Sequence, residues 1–483
     1  MSDLSKLLDD IKLLTIKPTS FTEETFERIR RIEPKIHAFT NLTEKIAKDA
    51  ASKLEAKIRS GKKVGRLAGL PLGIKDNICL EGYPTTCSSK MLLDYSPPYN
   101  ATVIQRLMAE DAIIVGKTNM DEFAMGTSTE SSYFGPTRNP WDLTRVPGGS
   151  SGGTAAAIAS NEVYLGLGSD TGGSVRCPAS FCSIIGLKPT YGLVSRYGLV
   201  SYGNSLEQIG PMAKDVYGCA LLFSVIAGLD PKDNTSAQPQ VEDYTQCLDG
   251  EQATDLNLWV PSEFFGEGVD ERVAKKVWKG IDKLEELGAV VKEVSIPNLK
   301  YSLPAYYLIA MSEASSNLAR YDGLRYGFRA EDETANWEGN YSKSRSLGFG
   351  PEVRRRIILG TYALSAGYKD RFYLQALRIR TLIKRDLERI LRGKDLIVSP
   401  TMPIPPFKLG EKTSNPITMY MCDVCTVPVN LTGMPAISVP CGFVEGLPVG
   451  MQLMAPPFRE DLLFKAAYSF EQNTDHWRRN PAI

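Results

Sequence analysis

The sequence predicts an α/β protein with a large mixed central β-sheet covered by helices on both faces. Three observations carry that expectation. Helix-like and strand-like patterns alternate along all 483 residues, an order that favours a sheet sandwiched between helices. Apolar residues make up 43% of the chain and charged residues 23%, ordinary values for a globular protein with a sizeable core. No internal repeat or low-complexity tract interrupts the pattern, which excludes solenoid and fibrous architectures.

The elements follow in order. Residues 1–60 show helical spacing around Ile29, Ile32, Ile36, Ile46, Ala50 and Leu54, and read as an N-terminal helical segment packed on the core. Residues 61–483 read as one catalytic domain. Residues 70–78 are a short apolar run broken by Gly73 and Lys75. A helix carrying Val103, Ile104 and Leu107 precedes a buried-strand candidate at 112–116. Small residues at 154–159 suit a helix packed closely behind a Gly-Ser turn, and 163–167 reads as the next strand. Residues 229–255 are polar, with Pro231 and Pro239, and predict a surface insertion. Beyond it come a strand (256–260), a helix (273–287), a strand (290–294) and a long basic helix (369–392). Strands at 395–398, 436–440 and 450–453 and a helix at 460–470 close the chain.

Composition removes several classes of function. Lys+Arg and Asp+Glu number 56 each, so no global field draws nucleic acid or an anionic membrane to this chain. The first ten residues carry acids where a secretory leader needs a basic and then an apolar run. The longest apolar-leaning stretch, 219–229, falls far short of the roughly 20 residues of a membrane span. The chain reads as soluble and cytoplasmic. Nine cysteines, an odd number scattered widely, fit free thiols in a reducing compartment. Cys422 and Cys425 have C-x-x-C spacing but lack two further ligands at suitable spacing, so no metal is expected.

Two glycine-rich turns present serines, at 147–153 (PGGSSGG) and 168–176 (GSDTGGSVR). Such turns suit acyl transfer, because glycines let backbone N–H groups converge on an oxyanion. A serine nucleophile needs a base, and His37 and His476 are the only histidines, near opposite ends of the chain. Gly148 to Gly152 also fits the nucleophile elbow of α/β-hydrolases, but only His476 could serve it. A phosphate loop ending at Thr118 is excluded because Asp111 stands where its first glycine belongs, and Thr171 interrupts a dinucleotide pattern beginning at Gly166. Lys75 remains, inside an apolar strand-like segment. It is either paired with Asp76 or another acid, or buried as a neutral amine able to accept a proton. Holding it neutral at pH 7 costs about 4 kcal/mol, which the fold must supply.

Together, Lys75, residues 148–153 and Gly172-Gly173-Ser174 resemble the amidase signature enzymes. Ser150 and Ser174 are 24 residues apart, which matches that family's spacing. The resemblance implies the amidase-signature fold and a triad in which Ser174 is acylated, Ser150 on a cis peptide relays the proton, and Lys75 is the base. It also implies an oxyanion hole from the backbone of Thr171, Gly172 and Gly173 with Ser174. Residues 117–126, 131–140, 312–323 and 359–365 are most similar to the A subunits of glutamyl-tRNA(Gln) amidotransferases, and the likeness runs from about residue 20 to 480. Glutamine hydrolysis is then implied, with ammonia passed to a complex of B and C subunits. That complex supplies ATP and Mg²⁺ and contacts Glu-tRNA(Gln), and this chain needs no cofactor of its own.

By the same resemblance Arg356 anchors the glutamine carboxylate, Asp423 the amine, and Tyr307 lines the pocket. Arg354 and Arg355 leave the register open by one. Asp170 and Arg176 flank the nucleophile loop and are expected to pair and shape it. Cys177 departs from the family's usual glutamine. Two other readings are a free-standing amidase acting on small, aryl or fatty amides, and a non-catalytic scaffold or nucleotide-binding component.

Overall fold

A computed structural model describes residues 3–248, 252–330, 336–393 and 395–483. Eleven strands of the described residues form one mixed sheet. In chain order these are β1 (Phe39–Leu42), β2 (Pro71–Lys75), β3 (Ile113–Thr118), β4 (Leu165–Asp170), β5 (Ile185–Lys188) and β6 (Gln208–Ala213). The others are β7 (Asn257–Pro261), β8 (Val290–Val294), β9 (Asp395–Pro400), β10 (Ala436–Val444) and β11 (Leu447–Met454). Across the sheet they run β1-β3-β2-β4-β6-β5-β10-β11-β9-β7-β8. β3, β2 and β4 are parallel neighbours, as are β9, β7 and β8. An antiparallel run through β6, β5, β10 and β11 joins the two groups.

Helices cover both faces, and the strands' alternation shows it. In β3, Ile114 points into one core while Ile113 and Val115 point into another. In β9, Leu396 and Val398 join the first core and Ile397 a third. The first core holds the buried stripes of helices Thr102–Ala109, Val216–Ile226, Glu271–Glu286 and Glu460–Gln472. The opposite face carries Pro18–Ile36, Glu44–Arg59 and Gly152–Ala159 at one end, with Ser302–Leu318 and Tyr373–Ile390 at the other. Strands buried on both sides need apolar residues at nearly every position, which is why they read as continuous runs.

Positions facing the second side of β2 and β4 are small. A Cβ at Gly166 would strike Thr154, and one at Gly168 would strike Ser151 and Val175. These close approaches seat helix Gly152–Ala159 and the two serine turns directly on the sheet. Lys75 and Asp170 end β2 and β4, and β2 and β4 are parallel neighbours. The site therefore sits at the carboxyl ends of parallel strands, where side chains and loops from several elements converge.

The structure departs from the sequence reading in places. The first sixty residues are not wholly helical: β1 pairs antiparallel with β3. Residues 219–226 of the apolar stretch belong to the buried helix Val216–Ile226, and 227–229 lie beyond it. β6 carries Pro211, tolerated because that residue pairs only with Leu167 of β4 while β5 reaches only Met212 and Ala213. The long basic helix begins at Tyr373, four residues later than expected. Within 229–255, residues 249–251 lie outside the described residues. Tyr244 in the described part is buried against Phe223 and Phe464, so this connection is anchored into the core. No described helix is long and apolar enough to cross a membrane.

Candidate active site

Lys75 is fully buried, and Asp76 is not its partner: Asp76 pairs with Lys117 at 3.0 Å. Among the described residues no carboxylate lies within ion-pair distance of Lys75. Its Nζ instead reaches Ser150 Oγ at 2.7 Å, Ser169 Oγ at 2.9 Å and the Ser169 carbonyl at 3.1 Å. Burial pushes its pKa down to about 7, against the opposing pull of the Asp121 and Asp170 carboxylates. Such a lysine is half neutral near pH 7 and can accept a proton. Of the two alternatives for Lys75, pairing with Asp76 is not observed, since Asp76 pairs with Lys117.

Ser150 follows a cis peptide bond from Gly149. The turn around it is held by Asp121, whose carboxylate accepts the N–H groups of Ser128 (3.2 Å) and Thr129 (2.9 Å) and the Ser131 hydroxyl (2.9 Å). The Asp121 N–H donates to the Ser150 carbonyl at 3.2 Å. The second turn is joined to the first by the Ser151 N–H, which donates to the Ser174 carbonyl at 3.1 Å. Ser174 is 7% exposed, unlike the fully buried Ser150.

Asp170 shapes the Ser174 turn. Its carboxylate accepts the Gly173 N–H at 2.9 Å and the Val175 N–H at 3.1 Å, and takes Arg176 at 3.0 and 2.9 Å. Burial disfavours the ionised form, but the Arg176 guanidinium and Asn430 outweigh it and hold the carboxyl well below the usual range. This ion pair was expected from the sequence. One expectation changes: the Gly173 N–H is occupied by Asp170, so it is not available to an oxyanion. The N–H groups of Thr171, Gly172 and Ser174 remain uncommitted among the described residues. Gly173 has φ +129°, and a Cβ there would collide with Thr426, whose hydroxyl donates to the Gly172 carbonyl at 2.6 Å. Glycine is therefore required at Gly173 for shape.

The three residues expected to bind substrate lie together. Asp423 accepts from Tyr307 Oη at 2.6 Å and from Thr127 Oγ1 at 3.1 Å. Burial raises its pKa to about 7, partly offset by Tyr307 and Arg356. Arg356 is 3% exposed and lies 5.4 Å from the ring centres of both Tyr307 and Tyr420. It donates to Glu352 at 2.7 Å and Tyr202 Oη at 2.6 Å. Of the three consecutive arginines, Arg356 is buried against this cluster, while Arg355, more exposed, also pairs with Glu352 and lines the adjoining cavity. A cavity of about 270 Å³ opens beside them, lined by Thr127, Ser128, Glu352, Arg356 and Tyr420.

A family model described as Amidase matches residues 20–464. The chain belongs to the amidase family. It is 56% identical over 470 residues to the glutamyl-tRNA(Gln) amidotransferase A subunit of Methanosarcina barkeri, covering 97% of each chain. The corresponding A subunit of Moorella thermoacetica is 54% identical over 474 residues, covering 98% of this chain and 97% of the other. The crystal structure of the Thermotoga maritima A subunit superposes with a TM-score of 0.79 at 40% identity, covering 95% of this chain and 92% of that one. A bacterial aryl acylamidase of 23% identity shares the fold with a TM-score of 0.86.

Within this amidase site the sequence reading missed Ser169, Asp121, Thr127, Tyr202, Glu352 and Tyr420. Glu352 and Arg356 stand four apart on helix Pro351–Leu364, a spacing that pairs opposite charges and was readable. Ser169 stands inside the second serine turn, 168–176; the others reach the site from distant segments with no local signal. Cys177 lies beneath the first turn, its Sγ 3.7 Å from the Thr127 carbonyl, and burial pushes its thiol up. Cys422 and Cys425 are buried free thiols, and the described residues contain no cluster of three metal-binding side chains.

Proposed function

We propose that this chain hydrolyses the side-chain amide of glutamine and supplies the ammonia to a partner subunit that amidates Glu-tRNA(Gln). The observation that carries the chemistry is the bond from buried Lys75 to Ser150 in a site without histidine. Neutral Lys75 takes the Ser150 proton while Ser150 takes that of Ser174, whose Oγ forms a bond to the amide carbon. The N–H groups of Thr171, Gly172 and Ser174 stabilise the oxyanion, a contribution of roughly 3–4 kcal/mol per well-placed donor. The proton returns through Ser150 to the leaving nitrogen as the C–N bond breaks, and ammonia departs. Water then attacks the acyl-enzyme and releases glutamate.

The choice of glutamine rests on Arg356 and Asp423, a cation and an anion placed to hold an amino-acid zwitterion. The division of labour is supported by the names of the relatives above: B and C subunits would bring ATP, Mg²⁺ and most of the tRNA contact. Alone, the chain should hydrolyse glutamine weakly and amidate no tRNA. With B and C subunits, ATP and Glu-tRNA(Gln) it should form Gln-tRNA(Gln), and external ammonia should bypass Ser174→Ala. Failure of the assembled complex to transfer glutamine nitrogen would refute the reading.

A second reading has one observation in its favour. An apolar cavity of about 530 Å³, lined by Leu308, Met311, Leu359, Tyr362 and Phe372, shares Tyr307 and Tyr420 with the site. Such a cavity would suit an aryl or fatty amide. The two readings part on kinetics. Each charge-assisted contact contributes about 1.5–3 kcal/mol, so Arg356→Ala and Asp423→Ala should each raise KM for glutamine roughly 10- to 100-fold while changing turnover of a small uncharged amide little. High kcat/KM on aryl or fatty amides without glutamine turnover would favour the free-standing amidase.

The pH profile gives a further check. Lys75 acts as a base only when neutral, so with a pKa of about 7 activity is present above that value and lost as pH falls through it. On an uncharged amide, log kcat/KM should rise with unit slope to about pH 7 and then level. On glutamine the acid limb should be steeper, because Asp423 also ionises near 7 and must be charged to hold the amine. A profile flat from pH 5 to 8 would remove Lys75 as the base.

A further inference from the structure

On the sheet face opposite the site helices, helix Glu271–Glu286 buries Val273, Val277, Ile281 and Leu284 in the first core. Lys276, Lys279 and Lys283 stand three and four residues apart, so they align as one stripe along its flank. The C-terminal segment around His476 faces that stripe. Between them lie two adjoining cavities of about 270 and 620 Å³ that share Lys279, Lys283, Thr474 and His476. Lys276 and Arg479 complete the first lining and Arg478 the second. Asp475 is the only carboxylate among the described residues lining either cavity, and its side chain is 72% exposed.

These cations are not used up by neighbours. Lys283 pairs with Glu286 at 3.1 Å on the surface. Lys276, Lys279, Arg478 and Arg479 enter no ion pair among the described residues. Arg479 lies over Phe443 at 4.9 Å and Arg478 over Trp477 at 5.1 Å, contacts that do not use the guanidinium N–H donors in ion pairs. Gly442, at φ +149°, leaves room for the Lys276 stem, which lies 3.1 Å from where a Cβ would stand. His476 Nδ1 makes no hydrogen bond and lies 3.7 Å from the Asp475 carboxylate. Burial is the main cause that lowers the His476 pKa; Asp475 opposes it, and Arg479 and Lys276 add smaller downward contributions. In a chain whose formal charge is +0, such a concentration on one cavity needs a counter-charge.

We infer that this cavity binds phosphate groups, through the lysine stripe and the edges of Arg478 and Arg479. Several converging cations with fork-shaped donors match a tetrahedral polyanion better than a single carboxylate. The phosphates come either from an RNA backbone or from a small phosphoanion. The site does not depend on the glutaminase reading, and its test uses no amidase activity.

The experiment compares the full chain with Lys279→Gln/Lys283→Gln/Arg478→Gln, all at exposed or half-buried positions. A control replaces the exposed Lys45, Lys62 and Lys63 with glutamine. Thermal unfolding establishes that each variant is folded. Pyrophosphate binding is measured by calorimetry, and bulk tRNA binding by filter retention from 50 to 200 mM salt. The cavity variant should lose at least tenfold in affinity relative to the control. For tRNA its salt dependence should also be shallower by about 2–3 in log–log slope, close to one per phosphate contact removed. Loss for tRNA, with pyrophosphate competing, identifies an RNA backbone. Loss for pyrophosphate alone identifies a small phosphoanion. If neither ligand binds the wild-type chain, or the two variants behave alike for both, the inference is overturned.

Discussion

Ser174→Ala is expected to leave no detectable glutamine hydrolysis, and Lys75→Met and Ser150→Ala are expected to lower kcat by several orders of magnitude. In the proposed mechanism Ser174 supplies the only bond to the acyl group, so its loss cannot be compensated. In that mechanism Lys75 and Ser150, 2.7 Å apart, are one proton path, and groups that act as a unit show strongly non-additive losses. The double variant should therefore be scarcely worse than either single one. Lys75→Met fills the buried space without a charge, so its folding should survive. Mass spectrometry after reaction with a fluorophosphonate or a reactive glutamine analogue should place the label on Ser174. A label elsewhere, or Lys75→Met with near-normal kcat, would sink the triad. Ser169 provides a graded control: it holds Lys75 at 2.9 Å but takes no proton in the proposed path. Ser169→Ala should therefore cost less than Ser150→Ala.

Much of this site was legible because chemistry restricts which residues can do the work. A histidine-poor chain with two Gly-Ser turns leaves few bases, and a lysine inside an apolar strand is costly unless used. The parallel strands were legible for a related reason: buried on both faces, β3 and β9 carry the apolar runs Ile113-Ile114-Val115 and Leu396-Ile397-Val398. Legibility failed where a residue's environment comes from far along the chain. Tyr202, Tyr420 and Asp121 meet the site through segments that share no local pattern, and nothing near them announces burial. β1 is four residues of intermediate burial and takes its conformation from pairing with β3. The oxyanion donors failed in a subtler way. The motif marks Gly173 as part of the turn, but only the placed Asp170 carboxylate shows that its N–H is already engaged. The arginine register was open in the sequence because three arginines are consecutive, and burial separates them.

The ion pair behind the nucleophile turn should dominate the response to mutation away from the reacting atoms. Arg176 is fully buried and spends its guanidinium on Asp170, the Thr426 carbonyl (3.0 Å), Gln452 (2.6 Å) and Asn430 (2.7 Å). Arg176→Met keeps the volume but leaves a buried carboxylate without its counter-charge, a loss of about 3–5 kcal/mol. That is a large fraction of a typical stability of 5–15 kcal/mol, so the urea midpoint should fall steeply. The carboxylate would then take up a proton on folding. Asp170 in the wild-type chain ionises well below its usual range, so it contributes stability that is present above the unfolded carboxyl pKa and lost as pH falls towards the folded value. In Arg176→Met the sign reverses, and the variant should grow more stable relative to the wild type as pH falls from 7 to 5. Arg176→Met/Asp170→Asn removes both charges while Asn430 can still meet the new amide, and should recover part of the loss. It should not recover activity, because the new side chain cannot accept both the Gly173 and Val175 N–H groups with two ionised oxygens, and the Ser174 turn loses its brace. If Arg176→Met unfolds within 1 kcal/mol of the wild type at pH 7, the pair is not what holds the turn.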